Sequence, residues 1–285
     1  MTRLCRSAAL LAVLAVVLGF QLTATPLSAP RADDSRGVTP VYGWEELRGD
    51  CGLSLNENFT KGFVASAAVY TELGRCDGYL LGALSFEYHL RKTVAPDVVD
   101  KRRPDICLPF ILPVSMLSVE SPSTFIARWY DIDSSPDYGP LVPISDKAYD
   151  LALAPFRKIF SCPLEEGRAF QLPSASILLE WCIEPEVAPA DERSQLVAIY
   201  MRNICEGLIR GIVDGAQAYE EDARSSAQNA ATLGIAYCLP EPAVAISALA
   251  DALVADMQTQ NPDLLDRESP VVTVREHLRE NYPCP

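Results

Sequence analysis

A four-cysteine frame, written twice, constrains this chain more than any other feature. Cys51, Cys76, Cys107 and Cys162 form the first set, and Cys182, Cys205, Cys238 and Cys284 the second. The surroundings repeat too. Cys76-Asp77-Gly78-Tyr79-Leu80-Leu81-Gly82 stands against Cys205-Glu206-Gly207-Leu208-Ile209-Arg210-Gly211. Cys107-Leu108-Pro109 stands against Cys238-Leu239-Pro240, and Phe160-Ser161-Cys162-Pro163 against Tyr282-Pro283-Cys284-Pro285. Internal self-similarity of this kind marks repeated structural units. The chain therefore reads as a tandem duplication, with a first unit over residues 41–163 and a second over 164–285. Each unit is long enough to bury its own core.

The N-terminus sets the compartment. Arg3 and Arg6 precede an uncharged apolar run from Ser7 to Phe20, and Thr23, Ala24, Ser28 and Ala29 supply small residues for cleavage. This is the layout of a secretory signal peptide over residues 1–29. An uncleaved anchor is the competing reading, but a span needs about 20 apolar residues and this run is shorter. Cys5 leaves with the signal. Cleavage removes Arg3 and Arg6 and no acid, so the net charge moves from −14 to −16. Such a surface repels nucleic acid and anionic membranes. It suits a basic protein partner; the alternative is that it serves solubility alone. The expected location is periplasmic or secreted, with no membrane insertion after cleavage.

Eight cysteines in an exported chain imply disulfides. Zinc frames bring closely spaced cysteine pairs, often with histidine. Here no two cysteines are close, and His89 and His277 are the only histidines. No metal and no cofactor is expected.

Apolar periodicity predicts an all-α fold of two disulfide-stapled bundles, about four helices each. Asn58–Arg91 carries Phe63, Ala67, Tyr70, Leu73, Leu80, Leu84 and Tyr88, mostly at three- and four-residue steps. Asp191–Glu221 is its counterpart. Trp44–Arg48 and Ser174–Cys182 read as short opening helices. In the second unit, Ile246, Leu249, Leu253 and Met257 form one stripe, and Val271, Val274, Leu278 and Tyr282 another. Asn261-Pro262-Asp263 separates them, and Ser269-Pro270 looks like a capped helix start. The first unit is less regular. A helix opens at Ser121-Pro122, a loop follows from Asp131 to Pro143, and a last helix runs from Ser145 to Phe160 with Pro155 expected to kink it or delay its start. Gly78 and Gly82 share one helix face, as do Gly207 and Gly211. Glycine costs about 1 kcal/mol in a helix interior, so a closely approaching helix is expected at these positions.

Four cysteines allow three pairings within a unit. An antiparallel helix pair brings Cys238 near Cys284, and the opening helix must pack on the helix carrying Cys205. The preferred set is Cys51–Cys76, Cys107–Cys162, Cys182–Cys205 and Cys238–Cys284. Pairing first with third and second with fourth is the alternative.

The second frame resembles a known family. Trp181-Cys182, the Cys205–Gly211 stretch, Tyr237-Cys238-Leu239-Pro240, the Asn261-Pro262 break and Tyr282-Pro283-Cys284 look like the Rap/Tai immunity protein family. The resemblance implies small exported helical binding proteins, some of which block cell-wall amidase effectors delivered by type VI secretion. The first unit carries the same marks more weakly. No effector-contacting residue can be carried over by motif.

Catalytic signatures are missing. The sequence has no G-x-S-x-G, P-loop, H-E-x-x-H or dinucleotide fingerprint. His89 and His277 read as solvated helix residues, and Trp181 as cover for the Cys182 bridge. The function expected is non-enzymatic binding of a basic exported protein such as an amidase. The loops Asp131–Pro143 and Gln260–Ser269 are the expected contact surfaces. A structural or chaperone-like envelope module is the alternative, and a carboxylate enzyme the third reading.

Overall fold

The structure, a computed structural model, describes residues 44–56, 66–93, 147–159, 173–183, 191–225 and 245–283. Eight helices follow one another there: α1 (Trp44–Asn56), α2 (Ala67–Thr93), α3 (Ala148–Ile159), α4 (Ala175–Cys182), α5 (Glu192–Ser225), α6 (Ile246–Gln258), α7 (Pro262–Leu265) and α8 (Pro270–Asn281). No strand occurs among the described residues. The fold is all-α, and its described part lies within one compact unit, Arg36–Pro285. The signal region, the loop 131–143, the start of the first long helix over 58–65, and Cys107, Cys162, Cys238 and Cys284 fall outside the described residues.

The two long helices form the axis, and each starts on a side-chain cap. Ser66 Oγ accepts from the Val69 amide at 3.3 Å, and Asp191 Oδ1 from the Ser194 amide at 2.9 Å, relieving donors that a helix start leaves unpaired. α2 and α5 then run parallel in direct backbone contact. A methyl group built on Gly78 would lie 2.2 Å from the Ile204 carbonyl oxygen, and one on Gly82 2.1 Å from that of Leu208. From the other side, Gly207 meets the Arg75 carbonyl at 2.4 Å and Gly211 that of Tyr79 at 2.2 Å. Only hydrogen side chains permit this approach, and the close helix packing it allows offsets glycine's cost in a helix. The contacts are reciprocal. Exchanging each residue for its counterpart in the other cysteine frame turns Gly78–Ile204 into Gly207–Arg75, and Gly82–Leu208 into Gly211–Tyr79.

Three tyrosine-to-carboxylate hydrogen bonds span the same seam. Tyr200 donates to Asp77 at 2.8 Å, Tyr79 to Asp214 at 3.1 Å and Tyr219 to Glu87 at 2.9 Å. All three acids are buried, so each needs such partners. Glu87 also accepts from Tyr149 of α3 at 2.9 Å and lies 3.5 Å from Arg157, which pairs with Asp150 at 3.0 Å. This cluster joins α3 to both long helices. α3 continues through Pro155; its buried Tyr149, Leu153 and Phe156 hold it in place.

Two disulfides staple short helices onto the axis. Cys51–Cys76 ties α1 to α2, and Cys182–Cys205 ties the end of α4 to α5. These are the first-to-second pairings read from the sequence. Closing loops of 25 and 23 residues contributes about 3.5 kcal/mol each in the chain-entropy model. α1 runs further than Trp44–Arg48, to Asn56. Leu47 and Cys51, one turn apart and both buried, keep this glycine-containing segment helical by packing and crosslinking.

Candidate functional site

The connection between α6 and α8 is built as a rigid turn. Asn261 Oδ1 accepts from the Asp263 amide at 3.0 Å, and Pro262 takes the first helical position. One turn of helix follows, closed by Glu268 N donating to the Leu264 carbonyl at 3.0 Å. Ser269 Oγ then caps α8 by accepting from Val271 at 3.3 Å, again with proline at the first position. The turn is anchored on both sides. The Ala175 amide at the start of α4 donates to the Glu268 carbonyl at 2.9 Å, and Thr273 Oγ1 donates to Glu268 Oε2 at 3.1 Å.

This frame points neighbouring leucines in opposite directions. Leu265 is buried, while Leu264 is 60% exposed. Ile177 (38%) on α4, which touches α7, and Ile183 (42%) just after α4 are the other exposed large apolar residues among those described. Asp263, Asp266 and Arg267 around Leu264 are exposed, as are Asp251 and Asp256 on α6. Asp251 pairs with Arg202 at 2.6 Å and Asp256 with His277, so Leu264 is an apolar knob whose immediate charged neighbours are Asp263, Asp266 and Arg267. An exposed leucine of this kind can seat in a hydrophobic pocket of a partner.

The residues singled out from the sequence lie mostly elsewhere. The four glycines sit in the α2–α5 seam and the described cysteines in the two bridges. Trp181 is buried beside Cys182. The two histidines differ from the solvated reading. His277 is 6% exposed and its Nδ1 faces Asp256 of α6. Its stripe with Val274 and Leu278 turns it inward. His89 is half-buried, and its Nε2 lies 3.1 Å from Arg275 Nη1. Arginine can only donate, so His89 accepts there and is neutral. Burial and the Arg275 charge lower its pKa to about 4. The His277–Asp256 pair has the look of half a catalytic triad, but the ring's other nitrogen is enclosed without a hydrogen-bond partner among the described residues. A base sealed from solvent cannot take a proton from a substrate. No cluster of three or more metal-ligating side chains occurs among the described residues, and no helix there is long and apolar enough to cross a membrane.

Sequence reasoning marked the segment Gln260–Ser269 but read it as a loop and missed Leu264. The signal was present: asparagine followed by proline is a helix start, and one turn of helix places Leu264 and Leu265 on different faces. The partner loop, Asp131–Pro143, lies outside the described residues.

Two comparisons with known proteins, one with curated sequences and one with solved structures, give no match to the chain. A third does: residues 174–284 match the family model of Rap1a immunity proteins. The match spans α4 to α8 and includes the turn that presents Leu264, leaving α1–α3 outside it.

Proposed function

We propose that this chain is an exported, non-enzymatic binding protein of the immunity type, which masks a basic partner through the α6–α8 turn. The match of residues 174–284 to immunity proteins carries the reading. The exposed Leu264 and the acids beside it, inside the matched stretch, give it a contact surface. The partner class is an exported hydrolase, an effector amidase of the cell wall in the sharpest form of the proposal. The protein acts in the periplasm or outside the cell, after removal of residues 1–29. Units 41–163 and 164–285 are two copies of one immunity-like module, and the reciprocal glycine contacts of α2 and α5 support that descent.

The test is a pull-down of the tagged, oxidised protein from envelope extract, with Leu264→Asp in parallel. One dominant exported hydrolase, recovered near one to one and inhibited when bound, is expected. Its loss with Leu264→Asp would locate the contact. Recovery of a scatter of abundant envelope proteins, equal for both forms, would overturn the proposal in favour of a chaperone-like module.

A further inference from the structure

The chain's two histidines, far apart in sequence, end up on the two sides of one helix. His89 of α2 meets Arg275 of α8, and His277 of α8 meets Asp256 of α6. We propose that these contacts form a latch holding α8 down, and that acid opens it on the α2 side by protonating His89.

The geometry makes the α2 side one-way. Arg275 has only N–H groups to offer, so the 3.1 Å contact exists only while His89 Nε2 keeps its lone pair. A proton placed there turns a donor–acceptor pair into two facing cations. Three buried or half-buried charged groups on the helices around α2 have partners of their own. Asp214 of α5 accepts from Tyr79, Arg210 of α5 pairs with Glu46 of α1, and Arg157 of α3 pairs with Asp150 and Glu87. Arg275 is thus the charge that acts on the His89 ring. On the α6 side, Asp256 faces His277 from the neighbouring helix, while Asn281 of α8 itself donates to the His277 carbonyl at 2.9 Å.

The direction follows from linkage. His89 titrates near 4 in the folded chain, against 6.5 when free. The state with α8 released, in which the His89 ring is free, therefore binds the proton first, and the latch weakens as pH falls from about 6.5 towards 4. A gap of about two and a half pH units corresponds to at most a roughly 300-fold shift, and the ring's partial exposure brings the expectation nearer tenfold. Because Thr273 of α8 holds Glu268, release of α8 also unseats the turn carrying Leu264. That last step rests on the reading of the turn as the docking surface; the latch does not.

Hydrogen exchange of the purified oxidised protein tests the latch without any partner. Amides of α8, corrected for intrinsic exchange and referenced to α5, should lose about tenfold protection between pH 7 and pH 4.5. His89→Gln keeps an acceptor for Arg275 but cannot titrate, and should stay flat. An equal loss in both proteins, or none in wild type, would overturn the proposal. Imidazole NMR of wild type gives a second reading, since only two rings contribute. A His89 ring that titrates near its ordinary 6.5 would sink the idea even if His89→Gln failed to fold.

Discussion

Replacing Gly78 by alanine adds one methyl group, and the surroundings set the sign of the effect. In an open helix the change stabilises by about 1 kcal/mol. At Gly78 the new carbon would start 2.2 Å from the Ile204 carbonyl oxygen, where ordinary contact begins near 3.4 Å. Relief needs α2 and α5 to part locally by roughly 1 Å, and a gap of that size forfeits about a quarter to a half of each neighbouring dispersion contact. Gly82, Gly207 and Gly211 share the seam, so the loss is spread over several turns. Overpacking of a fitted core costs about 1–3 kcal/mol, occasionally more, and the rigid backbone on both sides places this site at the upper end. After the helix-propensity gain, a net loss of about 2 kcal/mol is expected, or roughly 4–8 °C in Tm for a chain of this size. Gly49→Ala is the control, because nothing lies within 4 Å of the added carbon; it should raise Tm by about 2–4 °C. Thermal melts of the oxidised proteins by circular dichroism decide the matter. If Gly78→Ala melts at or above wild type, the close-approach account of the seam is wrong. Gly78→Ala with Gly82→Ala should cost less than the sum, since one separation relieves both clashes.

Three further outcomes follow from the interior. Glu87→Ala removes the carboxylate that accepts from Tyr149 and Tyr219 and one of the two acids beside Arg157, and should cost about 3–5 kcal/mol in denaturant unfolding; a loss below 1 kcal/mol would show that the cluster is dispensable. Cys51→Ser with Cys76→Ser should lose about 3.5 kcal/mol, while Cys182–Cys205 stays closed by thiol titration. Burial and then Asp77 raise the Tyr200 pKa far above 10, so the unfolded chain ionises this phenol first and stability should fall as pH rises through 10. Tyr200→Phe should flatten that alkaline limb, and an unchanged limb would assign it to other groups.

Sequence pattern and physical outcome part company at identifiable residues. The helical stripes and the cysteine frame were enough to give an all-α fold and the two staples, because both depend on local spacing. Gly74 escaped notice, although a methyl there would lie 2.6 Å from the Tyr200 carbonyl oxygen. Its counterpart in the second frame is Asn203, so comparing the repeats could not expose it. His277 was hidden by its neighbours Arg275, Glu276 and Arg279, whose charge suggested solvent. Burial is decided by the face shared with Val274 and Leu278, and the Asp256 partner sits on another helix. Leu264 was concealed by an asparagine–proline break that looked like a loop but seeds a helical turn. The α2–α5 pairing has no local signature beyond the glycines, since it joins segments that the sequence keeps far apart.

That pairing also sets an order of events. The bridges Cys51–Cys76 and Cys182–Cys205 close short loops and can form as soon as their own segments are available. The seam cannot. Gly78 must wait for Ile204, so the central contact of the molecule has high contact order and a large loop-closure cost. If the chain enters an oxidising compartment N-terminus first, α1 and α2 can be crosslinked while still unpartnered, with the glycine stripe and apolar flank of α2 open until α5 arrives. Such an interval exposes a chain to aggregation. The early staple therefore limits how far the waiting half can unravel, a kinetic role separate from the stability it gives the finished fold.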